Sequence, residues 1–178
     1  MSQLIKLRDG RFSLADDAFA AVADDEAIPD GDVVVSLTRF EADAEALLGQ
    51  GRAVGVRVAS DESVEDLAYD LPRIAMVALV FPKFGDGRAY SSARLLRERY
   101  GFTGEVRAVG DILREQAGFM VRCGFDAFEP ADGSGLEQWA AAASRFRHVY
   151  QRGSDTREPA FVERAAKAPG VNHGLRRG

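Results

Sequence analysis

The residues best suited to chemistry stand in the run Pro82-Lys-Phe-Gly-Asp-Gly-Arg88, where Lys83, Asp86 and Arg88 sit among Gly85 and Gly87 directly after a long apolar segment. Two cations flanking a carboxylate suit the capture of a small oxyanion, with the carboxylate free to move a proton. Glycines let a backbone approach a ligand closely. The apolar segment from Ile74 to Phe81 shows no alternation and reads as a strand buried on both faces. In open α/β sheets, ligand sites gather at the carboxyl ends of such strands, beside helix N-termini. The same rule applied to neighbouring strands adds Arg57 and Asp61, Arg107 and Asp111, and Asp126 and Glu129. The candidate ligand-binding set is therefore Arg57, Lys83, Asp86, Gly87, Arg88, Arg107 and Asp111, with Asp86 and Asp111 as candidate catalytic groups. Plainer roles stand beside these: Arg57 and Arg107 as strand charges reaching water along their stems, Asp86 as a helix cap.

Other chemistries find less support. Gly85-x-Gly87-x-x-Tyr90 half matches a dinucleotide fingerprint, but Tyr90 stands where the third glycine belongs. Gly49, Gly51 and Gly55 precede a strand where that motif would follow one. Cys123, in the last turn of its helix, reads as a buried structural thiol. His148 has no acid or nucleophile in register. With His173 these are the only Cys and His residues, too few for the roughly four ligands of a structural zinc or iron–sulfur site. No cofactor is held by the chain's own Cys or His clusters, and any redox centre is expected to come from a partner.

The elements that must position the mouth follow from periodicity. Leu4–Leu7, Asp9-Gly10 and Arg11–Ser13 read as an N-terminal β-hairpin at a sheet edge. Val33–Leu37 is a strand leading into a helix that Thr38 and Glu41 would cap. Ala53–Ala59 is a strand, and Val64, Leu67, Ala68 and Leu71 form a helical stripe that Pro72 stops. A helix over Arg88–Tyr100, a strand Glu105–Val109, a helix capped by Asp111 and ended by Gly124, a short strand Phe125–Phe128, and a helix capped by Ser134 and running to about Phe146 complete the pattern. About five strand-then-helix units predict an α/β fold with a mainly parallel sheet, doubly wound as the first choice and an incomplete βα barrel as the alternative. Residues 1–151 form one domain, with the hairpin and an acidic segment in 1–32. Residues 152–178 read as a tail, with one weak helical turn about Phe161 and Val162.

Composition limits the function classes. Of 178 residues, 46% are hydrophobic and 29% charged, and no apolar run is long enough to span a bilayer. No membrane role, no signal peptide and a cytoplasmic location are expected. The net charge is −5, yet residues 152–178 hold six Lys/Arg against three Asp/Glu, leaving 17 against 25 elsewhere. Between Asp9 and Asp32 eight acids face one base, Arg11. That face disfavours nucleic acid and suits a basic protein partner; a solvated acidic loop is the plainer reading.

Three stretches, Phe81–Phe102, Gly104–Gln116 and Arg122–Phe128, together resemble a bacterial family, domain of unknown function 934, over about residues 2–150. Its members are commonly labelled oxidoreductases of sulfite reduction. The resemblance implies an accessory role in assimilatory sulfite reduction, acting with sulfite reductase in substrate or electron delivery. It supplies no catalytic residues. Two alternatives accompany it: a stand-alone enzyme of sulfur metabolism that binds a small oxyanion, and a structural module of a sulfur-assimilation complex.

Overall fold

The structure, a computed structural model, describes residues 3–145, 149–150, 152–155 and 157–167. Its strands are β1 (Leu4–Arg8), β2 (Arg11–Ala15), β3 (Ala20–Ala21), β4 (Val33–Ser36), β5 (Val54–Val58), β6 (Met76–Phe81), β7 (Glu105–Gly110) and β8 (Ala127–Phe128). Its helices are α1 (Leu37–Leu48), α2 (Arg88–Arg94), α3 (Ala117–Cys123), α4 (Leu136–Ala143) and α5 (Ala160–Lys167). Asp9 and Gly10, both at positive φ (50° and 74°), turn β1 into β2, the type I′ geometry that Asp-Gly favours.

All eight strands form one sheet in the order β2-β1-β8-β7-β6-β5-β4-β3, and β3 to β8 run parallel in chain order. A doubly wound sheet needs its order to reverse at a switch point, and none occurs here. Consecutive right-handed crossovers without a reversal put every helix on the same side, and the sheet curls into a half-barrel. The incomplete barrel therefore replaces the doubly wound arrangement. The count of five units does not hold either, because β5 is followed only by 3₁₀ turns, Val64–Leu67 and Leu71–Arg73. Val64, Leu67 and Leu71 of the expected stripe are nonetheless buried, whereas Ala68 is exposed.

The helix side holds the main core, from Val54, Val56, Val77, Leu79, Phe81 and Val106 on the strands to Phe40, Leu96 and Trp139 on the helices. Alternate residues face the concave side, where Met76, Ala78 and Val109 form a smaller cluster with Phe19, Val34 and Val80. Phe19 comes from the acidic connection between β2 and β3, so that segment covers the inside of the half-barrel.

Several boundaries differ from the sequence reading for local reasons. Ser36, two residues before Thr38, caps α1 by accepting the Arg39 N–H at 3.0 Å. The expected Arg88–Tyr100 helix is α-helical only to Arg94 and continues as a π-turn over Leu95–Arg99. There Arg97 donates to the carbonyls of Phe102, Gly104 and Gly124 at 2.6, 2.7 and 2.9 Å and pairs with Asp126 at 3.0 Å. A 3₁₀ turn, Arg114–Gln116, precedes α3, and the Gln116 side chain, in place of Asp111, accepts the Leu113 N–H at 2.9 Å. Gly124 ends α3 at φ 101°, as expected. At α4 the cap position is Gly135, whose N–H donates to Gln138, and Ser134 is buried just outside the helix. Beyond Gln151, α5 spans eight residues where one turn was expected, and Ser154 is docked on α3 through its N–H to the Arg122 carbonyl at 2.8 Å. His148 and His173 lie outside the described residues.

Candidate functional site

The parallel strands bring most of the predicted residues to one mouth at their carboxyl ends. Lys83, Asp86, Gly87 and Arg88 occupy the loop between β6 and α2, and Asp111 follows β7 directly. Asp111 accepts the Phe84 N–H at 2.9 Å, and the Gln116 amide donates to the Phe84 carbonyl at 3.1 Å and the Tyr90 hydroxyl at 3.0 Å. Two groups on the β7–α3 connection thus clamp the β6–α2 loop. Tyr90 packs edge-on against Phe81, Phe119 and Phe125, with burial raising its phenol's pKa.

Arg88 and Asp86 form the tightest pair of the mouth. The guanidinium reaches both Asp86 oxygens, at 2.6 and 3.1 Å, and donates to the Ser60 hydroxyl at 3.0 Å, tying this loop to the one after β5. The Arg88 side-chain hydrogen bonds, with a further one from its backbone N–H, hold the Asp86 carboxyl down at about 2. A group ionised that firmly does not carry a proton at neutral pH. Asp86 is an anchor for Arg88, and Asp111 is an anchor for the Phe84 backbone; neither stands free to act as an acid or base.

Arg57 and Lys83 are different. Both are exposed, and among the described residues neither has a carboxylate or hydrogen-bond partner. Arg57, the penultimate residue of β5, shares the concave face with Gly55, while Val54, Val56 and Val58 face the helices. In register Arg57 lies opposite Ala78, level with Arg107 on the concave face, while Lys83 stands at the mouth as an uncommitted cation beside an Arg–Asp pair whose charges cancel.

Arg107 leaves the predicted set. It is registered with Ala78 and Ala127 in mid-sheet, faces the concave interior, and is only 2% exposed. Its guanidinium donates to Asp17 at 2.6 and 3.0 Å, to Glu129 at 3.0 Å and to Glu105 at 2.8 Å. Burial opposes its charge, but the Asp17 and Glu105 carboxylates outweigh that and raise its pKa above the ordinary arginine value. Asp17 responds in kind: partial burial pushes it up, while hydrogen bonds from Arg107 and the Phe19 N–H bring it below the usual range. Lys6 completes the network, 2.8 Å from Glu105. Asp126 also departs from expectation. It precedes β8 and so lies at the opposite end of the sheet, bound to Arg97 and to the Val106 N–H at 2.8 Å. Asp17 escaped the sequence reading because 90 residues separate it from Arg107, with no local pattern linking the two. Cys123 is buried as expected, and burial pushes its thiol up to about 11.

These observations define an α/β half-barrel protein with a strand-end mouth of mixed charge and a charge network sealing its concave face. Residues 55–161 match the family described as bacterial protein of unknown function, DUF934, and the chain belongs to that family. The matched stretch begins later than the resemblance over 2–150 and runs into α5; it contains every mouth residue and excludes Lys6 and Asp17. No curated protein and no solved structure matches the chain. Among the described residues, no helix is long and apolar enough to cross a membrane.

Proposed function

We propose that this protein is a cytoplasmic accessory of assimilatory sulfite reduction, holding a small oxyanion such as sulfite at the strand-end mouth and working beside sulfite reductase. The sulfur assignment rests on the label that the three resembling motifs bring with them. The observation that carries the binding role is Lys83, an uncommitted cation on the loop that Asp111 and Gln116 fix, with a second uncommitted cation, Arg57, further back on the concave face of β5. Fixed cations that give up no internal partner are well placed to take an external anion. A stand-alone acid–base enzyme draws no support from Asp86 and Asp111, since both carboxylates are engaged in holding the loop.

Titration calorimetry with sulfite and phosphate on the wild type and on an Arg57→Ala/Lys83→Ala variant tests the binding role. Sulfite heats that vanish in the variant are expected; identical heats in the two proteins reject the mouth. The pathway assignment is tested by growth of a deletion strain. Growth on sulfide with failure on sulfate and sulfite is expected, and unimpaired growth on sulfite removes the assignment.

A further inference from the structure

The sheet ends on two unlike strands. β3 is two residues long, which by itself limits pairing with another chain. β2, at the other end, runs five residues in unbroken register with β1, from Arg11 opposite Arg8 to Ala15 opposite Leu4. It has no bulge, proline or lysine, the devices that usually blunt a sheet edge, and Phe12 to Ala15 carry no charge. The Asp9-Gly10 turn fixes which backbone groups face outward. Arg8 and Arg11 flank a two-residue turn and so exchange hydrogen bonds, as do Lys6 with Ser13 and Leu4 with Ala15 further along. Phe12 and Leu14 belong to the alternate pairs, so their N–H and C=O groups point away from β1. Leu7, opposite Phe12, shows the same alternation, since its N–H turns from β2 to reach the Asp126 carbonyl at 2.8 Å. Among the described residues, the outward groups of Phe12 and Leu14 have no partner.

The side chains of this edge fit a second copy of itself. Phe12 faces the helical layer, its ring 6.1 Å from Phe128, which lies 5.1 Å from Trp139 of α4. Leu14, two residues on and therefore on the same face, is 53% exposed. When a second β2 is laid antiparallel about a two-fold axis at Ser13, Phe12 of each copy exchanges backbone hydrogen bonds with Leu14 of the other. Every outward group of both residues is then used, and Leu14 is covered by Phe12 and Leu14 of the other copy. On the concave side Arg11 faces Ala15, with the acidic run from Asp16 next along the other copy. Arg11 is the single base among the eight acids from Asp9 to Asp32, so this register sets it against opposite charge. Centring the pair on Phe12 or on Leu14 would instead draw in Gly10 of the turn or Asp16 beyond the strand.

We propose that the protein forms a two-fold dimer by antiparallel pairing of β2, continuing one sheet through both copies. The edge lies apart from the mouth on β5 to β7, and the dimer does not depend on anion binding there. Analytical ultracentrifugation of the full chain, together with oxidative cross-linking, tests it. The wild type should sediment at twice the chain mass at micromolar concentration. Leu14→Pro removes one outward N–H from each copy and no hydrogen bond to β1, so it should raise the dissociation constant by about tenfold while the circular dichroism of the chain is kept. Ser13→Cys reads the register itself. Residues paired across the axis without hydrogen bonds have Cα atoms about 4.5 Å apart, inside the span of about 4.4–6.8 Å that a disulfide bridges, so mild oxidation should give a covalent dimer. Ala15→Cys, whose two copies would stand about 13 Å apart, should give none. The native Cys123 is buried and does not compete. A wild type that stays monomeric at submillimolar concentration overturns the proposal. So does a dimer that Leu14→Pro leaves intact, or one in which Ser13→Cys cross-links no better than Ala15→Cys.

Discussion

Replacing Arg107 by methionine removes its charge while keeping a stem of similar length beside Phe19, whose ring centroid lies 5.9 Å from the guanidinium. Three carboxylates lose a partner, but not equally. The side chains of Asp17 and Glu129 are 38% and 27% exposed and can take up water, whereas Glu105 is only 6% exposed. The cost therefore concentrates at Glu105. Removing one partner of a buried ion pair costs about 3–5 kcal/mol. Lys6 stays 2.8 Å from Glu105 and keeps part of the compensation, which sets the expectation at the lower end, about 3 kcal/mol. In a protein of this size, each kcal/mol shifts the thermal midpoint by about 2–4 °C, so calorimetry should record a fall of roughly 6–12 °C. Adding Glu105→Gln to Arg107→Met removes the stranded charge and should restore stability relative to the single variant, by about 0.5–3 kcal/mol of coupling. A single variant within roughly 2 °C of the wild type, or a double variant no better than the single, would refute the view that this network seals the concave face.

Two other consequences are open to direct measurement. With its pKa depressed to about 2, Asp86 contributes a favourable pairing that is fully present above the unfolded carboxyl value and is lost only as pH falls through about 2; carboxyl NMR should show it titrating there, rising toward 3.8 in Arg88→Ala, and a wild-type value already near 3.8 would break the pairing. The Cys123 thiol, buried and pushed up to about 11, should resist iodoacetamide at pH 8 in the folded protein and react quickly in urea, and fast labelling of the native state would contradict its burial.

Local signals sufficed to find β4 to β7, the hairpin and α1 (an unbroken apolar run for β6, the Asp-Gly turn for the hairpin, capping residues for α1), because each is decided by neighbours within about ten positions. It could not order the sheet. Doubly wound sheets and half-barrels use the same strand-then-helix units, and the choice turns on what covers the second face. That cover comes from Phe19 and Asp17, in a stretch whose acidity made it look like a solvated loop. The mouth was legible because parallel strands necessarily share their carboxyl ends, and for this reason Lys83, Asp86, Arg88 and Asp111 do meet. Arg107 was misassigned because a charged residue in mid-strand looks the same in sequence whether it reaches water or a buried carboxylate. The Ser63–Leu71 stripe buries Val64, Leu67 and Leu71 but not Ala68, and winds as 3₁₀ turns, since Leu71–Arg73 starts a new turn around Pro72.

The position of the acidic segment also changes how partner docking can work. Asp17 holds Arg107, Asp24 accepts the Ser36 hydroxyl at 2.6 Å, Glu26 accepts the Ala23 N–H at 3.1 Å, and Asp32 accepts the Ala53 N–H at 2.9 Å. Half of the eight acids are thus spent on the fold. Neutralising any of these four would disturb the cover of the half-barrel as well as its charge, so a lost complex would not distinguish docking from misfolding. Asp9, Asp16, Asp25 and Asp30 are exposed and carry no such bonds, which leaves them as the carboxylates that a basic surface on a partner could read. Electrostatic docking, if it uses this segment, acts through those four side chains and weakens with salt as exposed charges do.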